Sequence, residues 1–108
     1  MSEELIVFVT VATRADGERI ADAVVGEQLA ACVNIVGPIR SIYRWQGEIC
    51  RDDEHLLLIK TTRARYAGLE ARVKSLHGYD VPEVVAVPIE MGSAAYLEWV
   101  RSVTAETA

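Results

Sequence analysis

The chain has 108 residues, just over half of them apolar, with 16 acidic against 11 basic side chains and a net charge of −5. That length and apolar content predict one folded domain spanning residues 1–108 and exclude a disordered chain. The acidic balance disfavours nucleic acid as a partner, because phosphate neutralisation needs clustered Lys and Arg, and no apolar window reaches the length of a membrane span.

The opening MSEELIVF lacks the basic n-region and long apolar stretch of a secretory signal. Residues 5–12 (LIVFVTVA) form a continuous β-branched run, which predicts a strand buried on both faces. Thr13 followed by Asp16 is a capping-box pattern opening a helix, along which Ile20, Ala21, Val24, Val25, Gln28 and Leu29 recur at helical spacing. Gly17 and Gly26 weaken that helix, so it must lean on tertiary packing. CVNIV predicts a second strand, broken at Gly37-Pro38 and resumed as IRSIYRW; Pro cannot donate to a ladder, so a bulge, bend or edge is expected there. Gln46-Gly47 suits a two-residue hairpin loop. The return strand starts at GEIC, is expected to be interrupted by RDDE, and finishes as HLLLIKT. Thr62 is placed to cap a second helix with Tyr66, Leu69, Val73 and Leu76 on one face, and Gly78 to terminate it. PEVVAVPI predicts a fourth strand, and Ser93 opens a last helix with Tyr96, Trp99, Val100 and Val103 on one side.

The order β-α-β-β-α-β-α predicts an α+β, ferredoxin-like (βαββαβ) sandwich with an extended hairpin and an extra C-terminal helix. Both main helices then cover one sheet face, and an apolar open face favours association.

The chemistry-bearing residues stay ambiguous on spacing alone. Cys32, among small apolar residues, reads as a buried inert thiol. Cys50 has Arg51 beside it, and the two cysteines match no zinc or redox spacing. With no sign of export, reduced thiols in a cytoplasm are expected. His77 in LHGYD is either a cation at a helix C-terminus or a metal ligand or proton donor beside Tyr79, Asp80 and Glu83. Tyr43 and Trp45 share one strand face, as do Glu54 and Lys60 on an unbroken strand; such residues serve an interface, a strand end or a ligand cage.

Three segments, ERIADAVVGEQLAACVNI, SIYRWQGEI with LLLIKTT, and VKSLHGYDVPEVVAVPI closing with YLEW, together resemble the CutA family of divalent-cation tolerance proteins. The resemblance runs from Leu5 to about Val103. It implies a ferredoxin-like homotrimer whose hairpins reach onto neighbouring subunits, with an inter-subunit cleft matched here by Cys32, Trp45, Glu54, Lys60, Tyr79 and Glu83, together with His77. It further implies Cu²⁺ or another divalent cation as ligand, with His77 as the principal metal-binding residue. The chain has Val9 and Leu76 where some members carry a Cys and a second His, so weak metal binding is expected. The function implied is a trimeric binding or signalling protein linked to copper and other metal-ion tolerance, without catalysis. The alternative is a PII-like sensor of a small anionic metabolite met by Lys60, His77 and Arg44. An acid–base enzyme using His77 and Glu83 ranks below both.

Overall fold

The computed structural model describes residues 3–106. The elements are β1 (Glu4–Val11), α1 (Arg14–Gly26), β2 (Cys32–Trp45), β3 (Glu48–Thr62), α2 (Arg63–Leu76), β4 (Val84–Pro88) and α3 (Ala94–Thr104). The four strands form one antiparallel sheet in the order β2-β3-β1-β4. This is the ferredoxin-like arrangement, with α3 added after it.

Val7, Val9 and Val11 of β1 and Leu57 and Ile59 of β3 point to one side of the sheet, because side chains alternate along a strand. There they meet Ile20 and Val24 of α1 and Leu69 and Val73 of α2 in a single buried cluster. The expectation that β1 is buried on both faces is corrected: Ile6 and Phe8, on the other face, are only half-buried. Two helices cover one side alone. On the opposite side α3 covers one end of the sheet, where Arg101 pairs with Glu4 at 2.8 Å.

Local signals explain most boundaries. Thr13 Oγ1 accepts the Asp16 N–H at 3.1 Å, so the N-cap forms. The Asp16 carboxylate pairs with Arg19 at 3.4 Å instead of closing a reciprocal box. Helix α1 stops at Gly26, three residues short of the end of the predicted stripe. Gln28 takes a φ of 61°, its N–H bonds to Val25 C=O, and the Leu29 N–H bonds to Val24 C=O. These paired bonds satisfy the last carbonyls as a left-handed C-cap does. Thr62 stands at the N-cap of α2 but its side chain makes no capping bond. Helix α2 ends on an extended His77, and Gly78 is not among the glycines with positive φ. In α3, Val100 is buried while Tyr96 and Trp99 remain exposed, so the predicted stripe is split.

The expected break at RDDE does not occur, because β3 runs unbroken for 15 residues. Asp52 and Asp53 sit where β3 has only β2 beside it, so both stay solvated. Cross-strand partners hold them: the Tyr43 hydroxyl donates to Asp52 and Arg40 pairs with Asp53 at 3.2 Å. Residues 39–54 therefore leave the sheet as a two-stranded arm, turned by Gln46 and Gly47, both with positive φ. The arm stretches the molecule to 45 Å and its radius of gyration to 14.4 Å, against about 13 Å for a compact chain of this length.

Strand β2 is continuous through Gly37-Pro38, with a shift of register there: Val36 faces Leu56, and Ile39 faces Glu54. One extra residue in β2 exchanges the faces of everything after it. Cys32, Asn34 and Val36 before the bulge thus share the open face with Ile39, Ser41, Tyr43 and Trp45 after it.

A Cβ on Gly37 would lie 2.6 Å from His55 Cδ2 and 3.1 Å from the Glu54 carbonyl. Gly37→Ala is expected to destabilise the fold by about 1–3 kcal/mol through overpacking. Gly78→Ala, which meets nothing within 4 Å, is expected to change stability by less than about 0.5 kcal/mol. Urea unfolding midpoints of the two variants check this.

Candidate functional site

The bulge and the end of β1 meet at Glu54, the β3 residue at the base of the arm, next to His55, where pairing with β1 ends. Glu54 is only 7% exposed, and its Oε2 accepts the Tyr79 hydroxyl at 2.7 Å. Tyr79 comes from the α2–β4 loop, which His77 clasps to the sheet. The His77 Nε2–H donates to the Thr10 carbonyl at 2.7 Å, and Nδ1 accepts the Tyr79 N–H at 3.1 Å. A carbonyl only accepts and an amide N–H only donates, so these contacts select the neutral, Nε2-protonated tautomer. The two rings lie 4.7 Å apart.

Above this chain of bonds is a cavity of about 590 Å³ whose walls include Tyr43, Trp45, Glu54, Tyr79, Asp80 and Glu83. The post-bulge face of β2 supplies the first two, β3 the third and the loop the rest. Burial, then the bond to Glu54, pushes the Tyr79 hydroxyl well above its ordinary value. The bond to Asp52 raises Tyr43 to about 12. Both phenols are therefore proton donors at any physiological pH.

Four of the residues expected at a cleft, Trp45, Glu54, Tyr79 and Glu83, come together in this cavity. Cys32 and Lys60 do not. They face each other across β2 and β3, six residues along β3 from Glu54, a distance of roughly 20 Å. There the Lys60 ammonium donates to Asn34 Oδ1, and the Tyr96 hydroxyl, raised first by burial, lies against Cys32. The helix-end and metal-ligand readings of His77 both omitted its two backbone bonds. A cation seeking Nδ1 must displace the Tyr79 amide. Among the described residues, no group of three or more His, Cys, Asp or Glu could hold a metal ion.

Sequence reasoning named Asp80 beside His77 without placing it in the cleft, and did not single out Asp52. The signal for Asp80 was its place beside Tyr79 in HGYD; for Asp52 it was the register opposite Ser41, which the bulge determines.

Tyr79→Phe removes the described donor to a nearly buried carboxylate, so a loss of about 1–3 kcal/mol is expected. Because the Tyr79 pKa is raised on folding, this contribution is complete below the unfolded value of about 10 and is lost as pH rises through the folded value. Melting curves from pH 8 upward should show the parent and variant converging at the alkaline end.

Comparison with known proteins places this geometry. Residues 5–103 match the family described as CutA1 divalent ion tolerance protein. The divalent-cation tolerance protein CutA of Thermus thermophilus is 52% identical over 101 residues, covering 94% of this chain and 98% of that protein. Its solved structure superposes with a TM-score of 0.92 over 94% of this chain and 98% of that one. The CutA1 crystal structure from Oryza sativa is 45% identical with a TM-score of 0.93, covering 98% and 97% of the two chains. The chain spans 55% of the length of the chloroplastic CutA of Arabidopsis thaliana, at 48% identity and over 93% of its own length. With this identity over nearly its whole length and the same ferredoxin-like sheet with its arm, the chain belongs to the CutA1 divalent ion tolerance family.

Proposed function

We propose that this protein is a non-catalytic, homotrimeric binding or signalling protein of divalent-metal tolerance, with its ligand site in the cavity above Glu54. The observation that carries the reading is the split placement of the cleft residues. Trp45, Glu54, Tyr79 and Glu83 line one cavity, while Cys32 and Lys60 stand roughly 20 Å away on the same face. One copy's Cys32–Lys60 end set against another's Trp45–Glu54 end would make one cleft from two half-sites. The arm supports assembly, since it exposes Tyr43 and Trp45 on one face and Ile42 and Ile49 on the other. Val85 and Val87 of edge strand β4 are exposed as well. Apolar surface on both faces of a two-stranded arm is a mark of a contact surface.

His77 lies outside that cavity's lining, in a smaller hollow with Asp16, Arg19 and Tyr79, and is proposed separately as the principal ligand for Cu²⁺ or another divalent cation. Displacing the Tyr79 amide from Nδ1 costs about 0.5–1.5 kcal/mol, so the affinity is weak. Acid weakens it further, because the imidazole must be unprotonated to ligate. The unpaired thiols of Cys32 and Cys50 fit a cytoplasmic protein. The acidic balance disfavours nucleic acid as a partner, and no helix among the described residues is long and apolar enough to cross a membrane. Geometry lends the anionic-metabolite reading no support: Lys60 is tied to Asn34, and Arg44 lies on the opposite face of the arm from Trp45.

Sedimentation equilibrium is expected to give three times the chain mass at micromolar concentration; a monomer overturns the assembly. Trp45→Ala should shift mass toward smaller species, since truncating a central interface aromatic costs about 2 kcal/mol or more. In a Cu²⁺ titration with thiols blocked, His77→Ala should lose the binding that the parent shows. Equal binding removes His77 as ligand.

A further inference from the structure

We propose that Glu54 and Lys60 form an ion pair between copies of this chain, the carboxylate of one copy receiving the ammonium of the next. The proposal rests on the assembly described above, and names the contact that closes each cleft.

Both groups carry a charge that their own chain leaves unmatched. Glu54 is 7% exposed, and its described partner is the Tyr79 hydroxyl, a neutral donor. Lys60, half-buried further along the same strand, donates to Asn34 Oδ1, a neutral acceptor. An ammonium has three donors, so two remain for another partner. Neither group joins an ion pair among the described residues, although pairs form elsewhere in the chain. A carboxylate withdrawn from water without a cation is costly, and a neighbour's lysine offsets that cost.

The two cannot meet within one chain. Positions 54 and 60 share the open face of the unbroken β3 and stand roughly 20 Å apart along it. A second copy is the occupant that answers both ends. The same surface offers an anion at one end and a cation at the other. A head-to-tail contact between identical chains therefore satisfies one of each at every interface, and a closed ring leaves none over.

The lysine end is built to match the glutamate end. Tyr96 of α3 stands beside Cys32, which faces Lys60 across the ladder. The Tyr96 and Trp99 rings lie 5.6 Å apart and are exposed, as are Tyr43 and Trp45 at the other end. Each half-site thus combines one charge, one neutral hydrogen-bond partner and two exposed aromatic rings. Aromatic surface closing around a central charge pair excludes water from it, which is how interface hot spots are arranged.

A double-mutant cycle on association tests the pair. Sedimentation over a dilution series of the full chain compares the parent, Glu54→Gln, Lys60→Met and the double variant. Each single change is expected to weaken association by on the order of tenfold or more per interface. The double variant should match the weaker single, because the second change removes nothing further. Additive losses, or single variants that associate as the parent does, overturn the pair. Exchanging the charges in one chain, Glu54→Lys with Lys60→Glu, should restore trimers that either reversal alone abolishes. Should circular dichroism show Glu54→Gln unfolded, Lys60→Arg against Lys60→Met carries the test. Arg is expected to retain association and Met to lose it; equal association overturns the pair. A monomeric parent sinks the assembly and this pair with it, whereas a trimeric parent with additive variants sinks the pair alone.

Discussion

One surplus residue in β2 governs the geometry of everything that carries chemistry. Side chains alternate along a strand, so without the register shift between Val36 and Ile39 Tyr43 and Trp45 would stand on the helix side of the sheet. With it, they join Glu54 on the open face. The same irregularity marks where β3 loses β1 as a neighbour and the arm begins. Gly37 makes the close approach possible, because the His55 ring occupies the space a Cβ would need. Face, arm and cavity thus depend on a single local packing solution.

A second dependence runs through His77. Its ring joins residues 67 positions apart in sequence, pinning the loop after α2 to the end of β1. Tyr79 is held at its amide by the imidazole and at its hydroxyl by Glu54. The cavity wall is therefore fixed at two points by directional bonds. A rigid wall of this kind reduces the entropy a ligand must overcome on binding.

Much of this was legible in the sequence, for local reasons. The helix start at Thr13, the turn at Gln46-Gly47 and the buried positions of α2 follow from capping, turn chemistry and periodicity. So did the ferredoxin-like order of elements. Gly37-Pro38 announced an irregularity in β2 but not its size, and the size decides which face Trp45 takes. The acidic RDDE looked like a break because its setting, a solvated arm with cross-strand partners, is tertiary. Likewise the position of His77 at a helix end is local, but its bond to Thr10 requires knowing which strand passes beside it. Gln28 misled for another reason: its apolar neighbours kept helical spacing while its own backbone turned left-handed. The cleft residues divided as they did because Cys32 and Lys60 are fixed by register, one bulge and six residues from Glu54.

The bulged strand is also an edge strand, since β2 pairs with β3 alone among the described strands. A flat outer strand of 14 residues would present an open template on which identical chains could stack without end, the geometry of a fibre. Bent at Gly37-Pro38, and with Pro38 lacking an amide to donate, this border cannot offer a straight, uninterrupted row of donors and acceptors. The residue that turns Trp45 toward Glu54 therefore also interrupts the row of edge donors and acceptors along which a further strand would pair.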